Sequence, residues 1–190
     1  MLVTRNSEIA KRARIMRLHG INRDAFDRFT AKVPSWYYEI VAPGFKYNLT
    51  DIAASIGLHQ LKKANLFQKK RQDIAERYNA ELAGLPLILP PNAARGDIHS
   101  WHLYVIQLND DARVDRNAFI EKMFEQGVGM SVHYVPLHQH SYWRETYSLT
   151  PEMFPVSQGI YERTATLPLY TRMTESDTDR VITAVKNILG

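Results

Sequence analysis

Cysteine is absent from the 190 residues, which excludes disulfides, thiol nucleophiles and thiolate metal sites together. No stretch approaches the roughly 20 apolar residues that a membrane-spanning helix needs, and residues 1–5 (MLVTR) are too short an apolar run for a signal peptide. Runs of like charge are also missing: 24 Lys and Arg and 20 Asp and Glu are interspersed, so the formal net charge of +4 forms no basic tail. There is no basic stripe and no motif that reads RNA or DNA, so nucleic acid is not an expected partner. An isoelectric point near 9.3 fits anionic ligands such as phosphates. The expectation is a soluble, cytoplasmic protein with neither a membrane nor a nucleic-acid partner. At 45% hydrophobic residues, the chain can bury a real core.

Residues 1–4 are β-prone. Asn6 or Ser7 then caps a helix running toward Leu18, and Gly20 stops it. Residues 21–43 mix charged residues with Phe26, Phe29, Trp36, Tyr37 and Tyr38 around Pro34 and read as a long ordered loop with at most a helical turn. Helical spacing returns at Thr50 and Asp51 and carries Ile52, Ile56, Leu61, Leu66, Phe67, Ile74 and Tyr78 until Gly84 and Pro86, as one helix or two. A Pro-rich connector at 85–91 leads to a buried strand at 102–108. Asp115 caps a helix with Phe119, Ile120, Met123 and Phe124 inside, and a second strand is expected at 128–133. A helix near 156–164, a short extended segment at 166–169 and a closing helix at 174–188 complete a small α+β domain of two or three antiparallel strands covered by helices.

Three stretches in this order resemble the PLP-dependent sugar aminotransferases of the DegT type, which have the aspartate-aminotransferase (fold type I) architecture. They are PGFKYNLTDI (43–52) with AASIGL (53–58), Gln60 and Leu61; VHYVPLH (132–138) with Tyr142; and LPLY (167–170) with MTESD (173–177). The resemblance spans essentially the whole chain. It implies an enzyme that transfers an amino group, from an amino acid such as glutamate, to a nucleotide-linked keto sugar for amino-sugar or surface-polysaccharide synthesis, working as a homodimer with pyridoxal phosphate. It also implies that residues 1–49 are a remnant of the large cofactor-binding domain with a dimer-reaching loop, 50–84 a linking helix or helices, and 85–190 the C-terminal small α+β domain. In such enzymes the Schiff-base lysine lies in the N-terminal domain just ahead of a strand like residues 1–4. The chain is therefore expected to be a truncated or isolated C-terminal region with no catalytic residue of its own, and Lys46 does not stand in for that lysine.

What remains is anchoring chemistry. Lys46 offers a cation and Asn48 an amide donor just ahead of a helix N-terminus, where phosphate is favoured. By resemblance this turn reaches the cofactor phosphate of the neighbouring subunit; otherwise Asn48 caps the helix and Lys46 is solvated. By resemblance His133 and Tyr134 border the sugar-nucleotide site and hydrogen-bond the sugar or diphosphate, with His138 a further substrate-binding residue and Tyr142 a candidate beside it; otherwise His133 is a satisfied core histidine and Tyr134 is packing. Metal binding is not expected, because the spacing of His133, His138 and His140 matches no standard helical zinc motif. Arg144 and Arg163 read as salt-bridge partners of acids such as Glu145 and Glu162 rather than as diphosphate ligands. The competing reading of the whole chain is a non-catalytic module that binds nucleotide sugars or assembles with a separate lysine-bearing subunit.

Overall fold

A computed structural model describes residues 2–22 and 37–190. Of the loop expected at 21–43, residues 23–36, with Phe26, Phe29, Pro34 and Trp36, lie outside the described residues. The chain divides into two compact units, Met1–Lys62 and Lys63–Gly190.

In the first unit, helix α1 spans Ser7–Met16, and the Asn6 side-chain oxygen accepts hydrogen bonds from the N–H groups of Glu8 and Ile9 at 2.9 and 3.1 Å. This satisfies two of the donors a helix start leaves orphaned. After α1 the chain turns through His19 and Gly20, both at positive φ. The turn is laced to the 41–47 segment by backbone bonds: Phe45 N–H to Met16 O at 2.7 Å, His19 N–H to Phe45 O at 2.9 Å and Tyr47 N–H to Arg17 O at 2.8 Å. A Cβ on Gly44 would sit 2.0 Å from Gly20 N, and one on Gly20 would sit 1.8 Å from Ala42 O. Two backbones touch here, and only glycine fits at either place.

Helix α2 spans Asp51–Glu81 as one continuous helix of 31 residues. Its cap is Thr50, whose hydroxyl accepts from Ala53 N–H at 3.3 Å and whose carbonyl accepts from Ala54 N–H at 2.8 Å. Asn48 is therefore not the cap. Ile52, Ile56, Leu58, Leu61 and Leu66 on the first half are exposed, whereas Ala75, Tyr78 and the following Leu82 are buried.

The second unit carries an antiparallel sheet in the order β1 (Leu87–Ile88), β2 (Tyr104–Leu108), β3 (Thr164–Leu167), with Leu87 opposite Leu108 and Val105 opposite Thr166. On β2, Tyr104, Ile106 and Leu108 are buried and alternate with half-buried Val105 and Gln107, as a sheet with one face on the core requires. Around it stand α3 (Arg116–Glu125), α4 (Ser141–Tyr147), α5 (Pro155–Arg163) and α6 (Glu175–Leu189). Asp115 caps α3, accepting from Ala118 N–H at 2.9 Å, and Thr174 and Asp177 form a capping box on α6. The core joins Tyr78, Tyr104, Ile106, Phe119, Met123, Leu167 and Val185 with their neighbours. This is the α+β architecture the sequence implied.

Three local expectations are corrected. Residues 128–133 do not form a strand: only Ser131 pairs, exchanging bonds of 2.8 and 3.4 Å with Thr166. Gly127, at positive φ, and Gly129 weaken an extended ladder there. The connector at 85–91 contains β1, a two-residue strand too short to show periodicity. Phe124 is 75% exposed; the buried residues of α3 are Arg116, Phe119 and Met123, with Ile120 partly buried against the core, and Phe124 falls about 100° away from Met123.

Candidate functional site

The sheet ends in a cavity of about 310 Å³ lined by His102, Leu103, Gly129, Met130, Ser131, His133 and residues 166–169. The fold brings these together from three directions. His102 and Leu103 precede β2, Ser131 is bridged to the outer edge of β3, and Thr166 and Leu167 belong to β3 itself. The Tyr78 hydroxyl, from α2, donates to the Pro168 carbonyl at 2.9 Å and so pins the segment that follows β3. Burial raises the pKa of that hydroxyl well above the ordinary phenol value, so it stays a protonated donor. The lining contains two imidazoles and two hydroxyls and neither a carboxylate nor a Lys or Arg. Such a surface can hydrogen-bond the hydroxyls of a ligand.

His133 is half-buried, with Nδ1 2.9 Å from Thr166 Oγ1. Its ring meets that of Tyr134 edge-on at 4.7 Å, and the peptide between them is cis. Tyr134 is exposed. His138 is 4% exposed and belongs to a different environment. Its Nε2 lies 2.9 Å from Gln158 Oε1, and its ring stacks on Phe154 at 5.0 Å. Gln158 Oε1 also accepts from Gln139 Nε2 at 2.7 Å while Gln158 Nε2 donates to Glu162 at 2.6 Å. That amide orientation makes Nε2 of His138 the protonated ring nitrogen. Tyr142 is exposed, edge-on to Trp143. Arg144 lies 3.8 Å from Glu145, and Arg163 pairs with Asp110 at 3.1 Å rather than with Glu162.

Lys46 and Asn48 sit in the first unit. Phe45 and Tyr47 stack at 5.1 Å and line one wall of an apolar groove with Leu2, Ala10, Ala13 and Met16. Lys46, bridged to Leu18, is not part of that wall. It is exposed, and Asn48 is half-buried two residues ahead of the Thr50 cap. A cation and an amide before a helix N-terminus suit the phosphate end of pyridoxal phosphate. Every described lysine is exposed. The donor set fits the phosphate end of the cofactor alone. Among the described residues no group of three His, Asp or Glu could hold a metal ion, and no helix is long and apolar enough to cross a membrane.

Comparison with known proteins decides the family, since the model of the DegT/DnrJ/EryC1/StrS aminotransferase family matches residues 1–186. This chain belongs to that family. It is 45% identical over 191 aligned positions to an uncharacterized protein of Methanocaldococcus jannaschii and 38% identical to the spore coat polysaccharide biosynthesis protein SpsC of Bacillus subtilis. In both cases the alignment covers 100% of this chain and 49% of the relative, so the chain spans about half the length of the curated relatives it matches. Among solved structures, a Streptococcus pneumoniae protein assigned as a sugar aminotransferase superposes in its PMP form with a TM-score of 0.82 at 30% identity, covering 95% of this chain and 45% of that one. Its PLP form also superposes, with a TM-score of 0.80. The fold type I expectation is met for the part of the architecture this chain spans.

His102, Ser131 and Thr166 share the cavity with His133 but were legible in sequence only as strand residues. Period-two alternation would have put Ser131 on the side of His133. Nothing local signals His102 or Thr166, because their neighbourhood depends on how the three segments pair.

Proposed function

We propose that this chain is the anchoring part of an aminotransferase that moves an amino group from an amino acid, glutamate by resemblance, to a nucleotide-linked keto sugar in amino-sugar or surface-polysaccharide synthesis. The observation that carries the reading is the His133 cavity, a concave site of imidazole and hydroxyl groups at the end of a sheet. His133 and Tyr134 contact the nucleotide sugar. His138, belonging to the same motif, holds the loop through Gln158 and Phe154. Lys46 and Asn48 bind the cofactor phosphate of a neighbouring subunit in a cytoplasmic homodimer. Residues 1–49 then belong to the large domain and its dimer-reaching loop, 50–84 to the linking helix, and 85–190 to the small domain. Pyridoxal phosphate, when bound, supplies the electron sink for amino transfer. This chain orients the phosphate and the sugar and leaves the covalent chemistry to a lysine outside it.

Calorimetry of the intact chain with UDP- and dTDP-hexoses tests the reading. Saturable binding that His133→Ala removes and Lys46→Ala leaves unchanged is expected. No binding to any nucleotide sugar, or binding indifferent to His133→Ala, overturns it. Borohydride treatment of the chain mixed with pyridoxal phosphate should leave no adduct on a specific lysine; a specific adduct would overturn the assignment of the covalent chemistry elsewhere.

A further inference from the structure

Thr166 is a buried threonine on a strand whose four residues are all buried. Its hydroxyl has one partner among the described residues, His133 Nδ1 at 2.9 Å. Its backbone is held on both sides, opposite Val105 of β2 and bridged to Ser131. Two residues earlier the same strand is tied to α3, because the Arg116 guanidinium, itself 9% exposed, donates to the Thr164 carbonyl at 3.3 Å. The hydroxyl is thus mounted on a strand paired on both sides, while His133 lies on a segment with a single bridge. His133 is the diagonal neighbour of Thr166 across that bridge, a distance a long side chain can close. With Nδ1 engaged, Nε2 is the ring nitrogen without a protein partner among the described residues, on a residue that lines the cavity.

We propose that Thr166 is a positioning residue that fixes the ring of His133, so that Nε2 meets the ligand in a single orientation. A hydroxyl can accept from a protonated Nδ1 or donate to a bare one. The bond holds the ring in either case, and because the two pairings differ in strength it weights one neutral tautomer over the other. A side chain with the shape of threonine but no hydroxyl would free the ring to rotate and would leave the two neutral tautomers to their intrinsic balance. The ligand side of this inference rests on the proposed nucleotide-sugar site; the ring orientation does not.

The test uses Thr166→Val, which keeps the shape, and Thr166→Ser, which keeps the hydroxyl, in the intact chain. Nitrogen-15 correlation spectra of the neutral His133 ring should show a changed tautomer ratio in T166V and a wild-type ratio in T166S. Affinity for a UDP-hexose should fall about tenfold in T166V, the equivalent of one net hydrogen bond, and recover in T166S. Should T166V fail to fold, Thr166→Ala gives the same comparison against T166S. An unchanged tautomer ratio in the hydroxyl-free variant, or a changed one in T166S, overturns the inference. A changed ratio in T166V with no nucleotide-sugar binding even in the wild type leaves the positioning role supported and the proposed function overturned. Wild-type binding that T166V does not weaken overturns the positioning role alone.

Discussion

Tyr78 and Tyr47 are the same residue in opposite circumstances. Tyr78 is fully buried, edge-on to Tyr104 at 4.9 Å, with its hydroxyl donated to Pro168. Tyr47 is 75% exposed and stacks on Phe45. The contrast holds across the two units. Residues 63–190 carry the whole core cluster, with buried aromatics, aliphatics and capped helices in agreement. In the described part of residues 1–62, Ala42 is the one buried apolar side chain, while Leu2, Ile40, Phe45, Leu49, Ile52 and Leu61 face water. That unit keeps its shape through backbone hydrogen bonds and a glycine-to-glycine contact, which define a conformation but contribute little hydrophobic stabilisation. Exposed apolar surface on this scale marks an interaction face. In the proposed reading it meets the rest of a large domain.

The most severe way to break the comparison is to separate the units. A fragment of residues 63–190 should unfold cooperatively on heating, and one of residues 1–62 should show no cooperative transition by circular dichroism. The reverse result would mean that burial is a poor guide to autonomy here. Point changes sharpen it next. Phe119→Ala, in the centre of the core, should cost about 3–5 kcal/mol in urea unfolding, whereas Phe45→Ala should cost under about 0.5 kcal/mol. Similar costs for the two would erase the distinction.

Gly44→Ala probes a tight backbone contact of the first unit, since its Cβ would press on Gly20 N. The clash is worth about 1–3 kcal/mol locally. It should appear as faster hydrogen exchange at the Val41, Phe45 and Tyr47 amides with no change in the main unfolding midpoint. The smallest effect expected is a pH dependence confined to the second unit. Backbone and side-chain hydrogen bonds from Thr174 hold Asp177 below its ordinary value of 3.8, and the Lys186 ammonium does the same for Glu81. A carboxylate with a depressed folded pKa stabilises above its unfolded value and loses that contribution as pH falls through the folded one. Thermal midpoints should therefore drop below about pH 4, and Asp177→Asn should flatten that drop. An unaltered acid limb in the variant would remove Asp177 from the account.

Much of the second unit was legible because its signals are local. Asp115 and the helix it caps lie within three residues of each other, and the alternation of β2 is visible in five. Ile52, Ile56 and Leu61 carried an equally clear helical signal, and the helix is there. The same pattern could not say that these side chains would be exposed, because periodicity reports a face and not what covers it. The site was half legible. The motif singled out His133 and Tyr134, yet it grouped His138 with them although its ring is turned to Gln158 and Phe154.

By itself the sequence determined the order and kind of most elements, a cap at Asn6 or Ser7 and one at Asp115, the stops at the glycines and the family. Each of these rests on contacts within a few residues or on a motif read in order. Tertiary structure alone decided that β1 pairs with β2, that residues 128–133 touch β3 at a single bridge, and that Thr166 meets His133 across 33 positions. Those outcomes depend on which segments bury each other's apolar faces, a choice made by the whole chain at once. The cavity at the end of the sheet exists only after that choice.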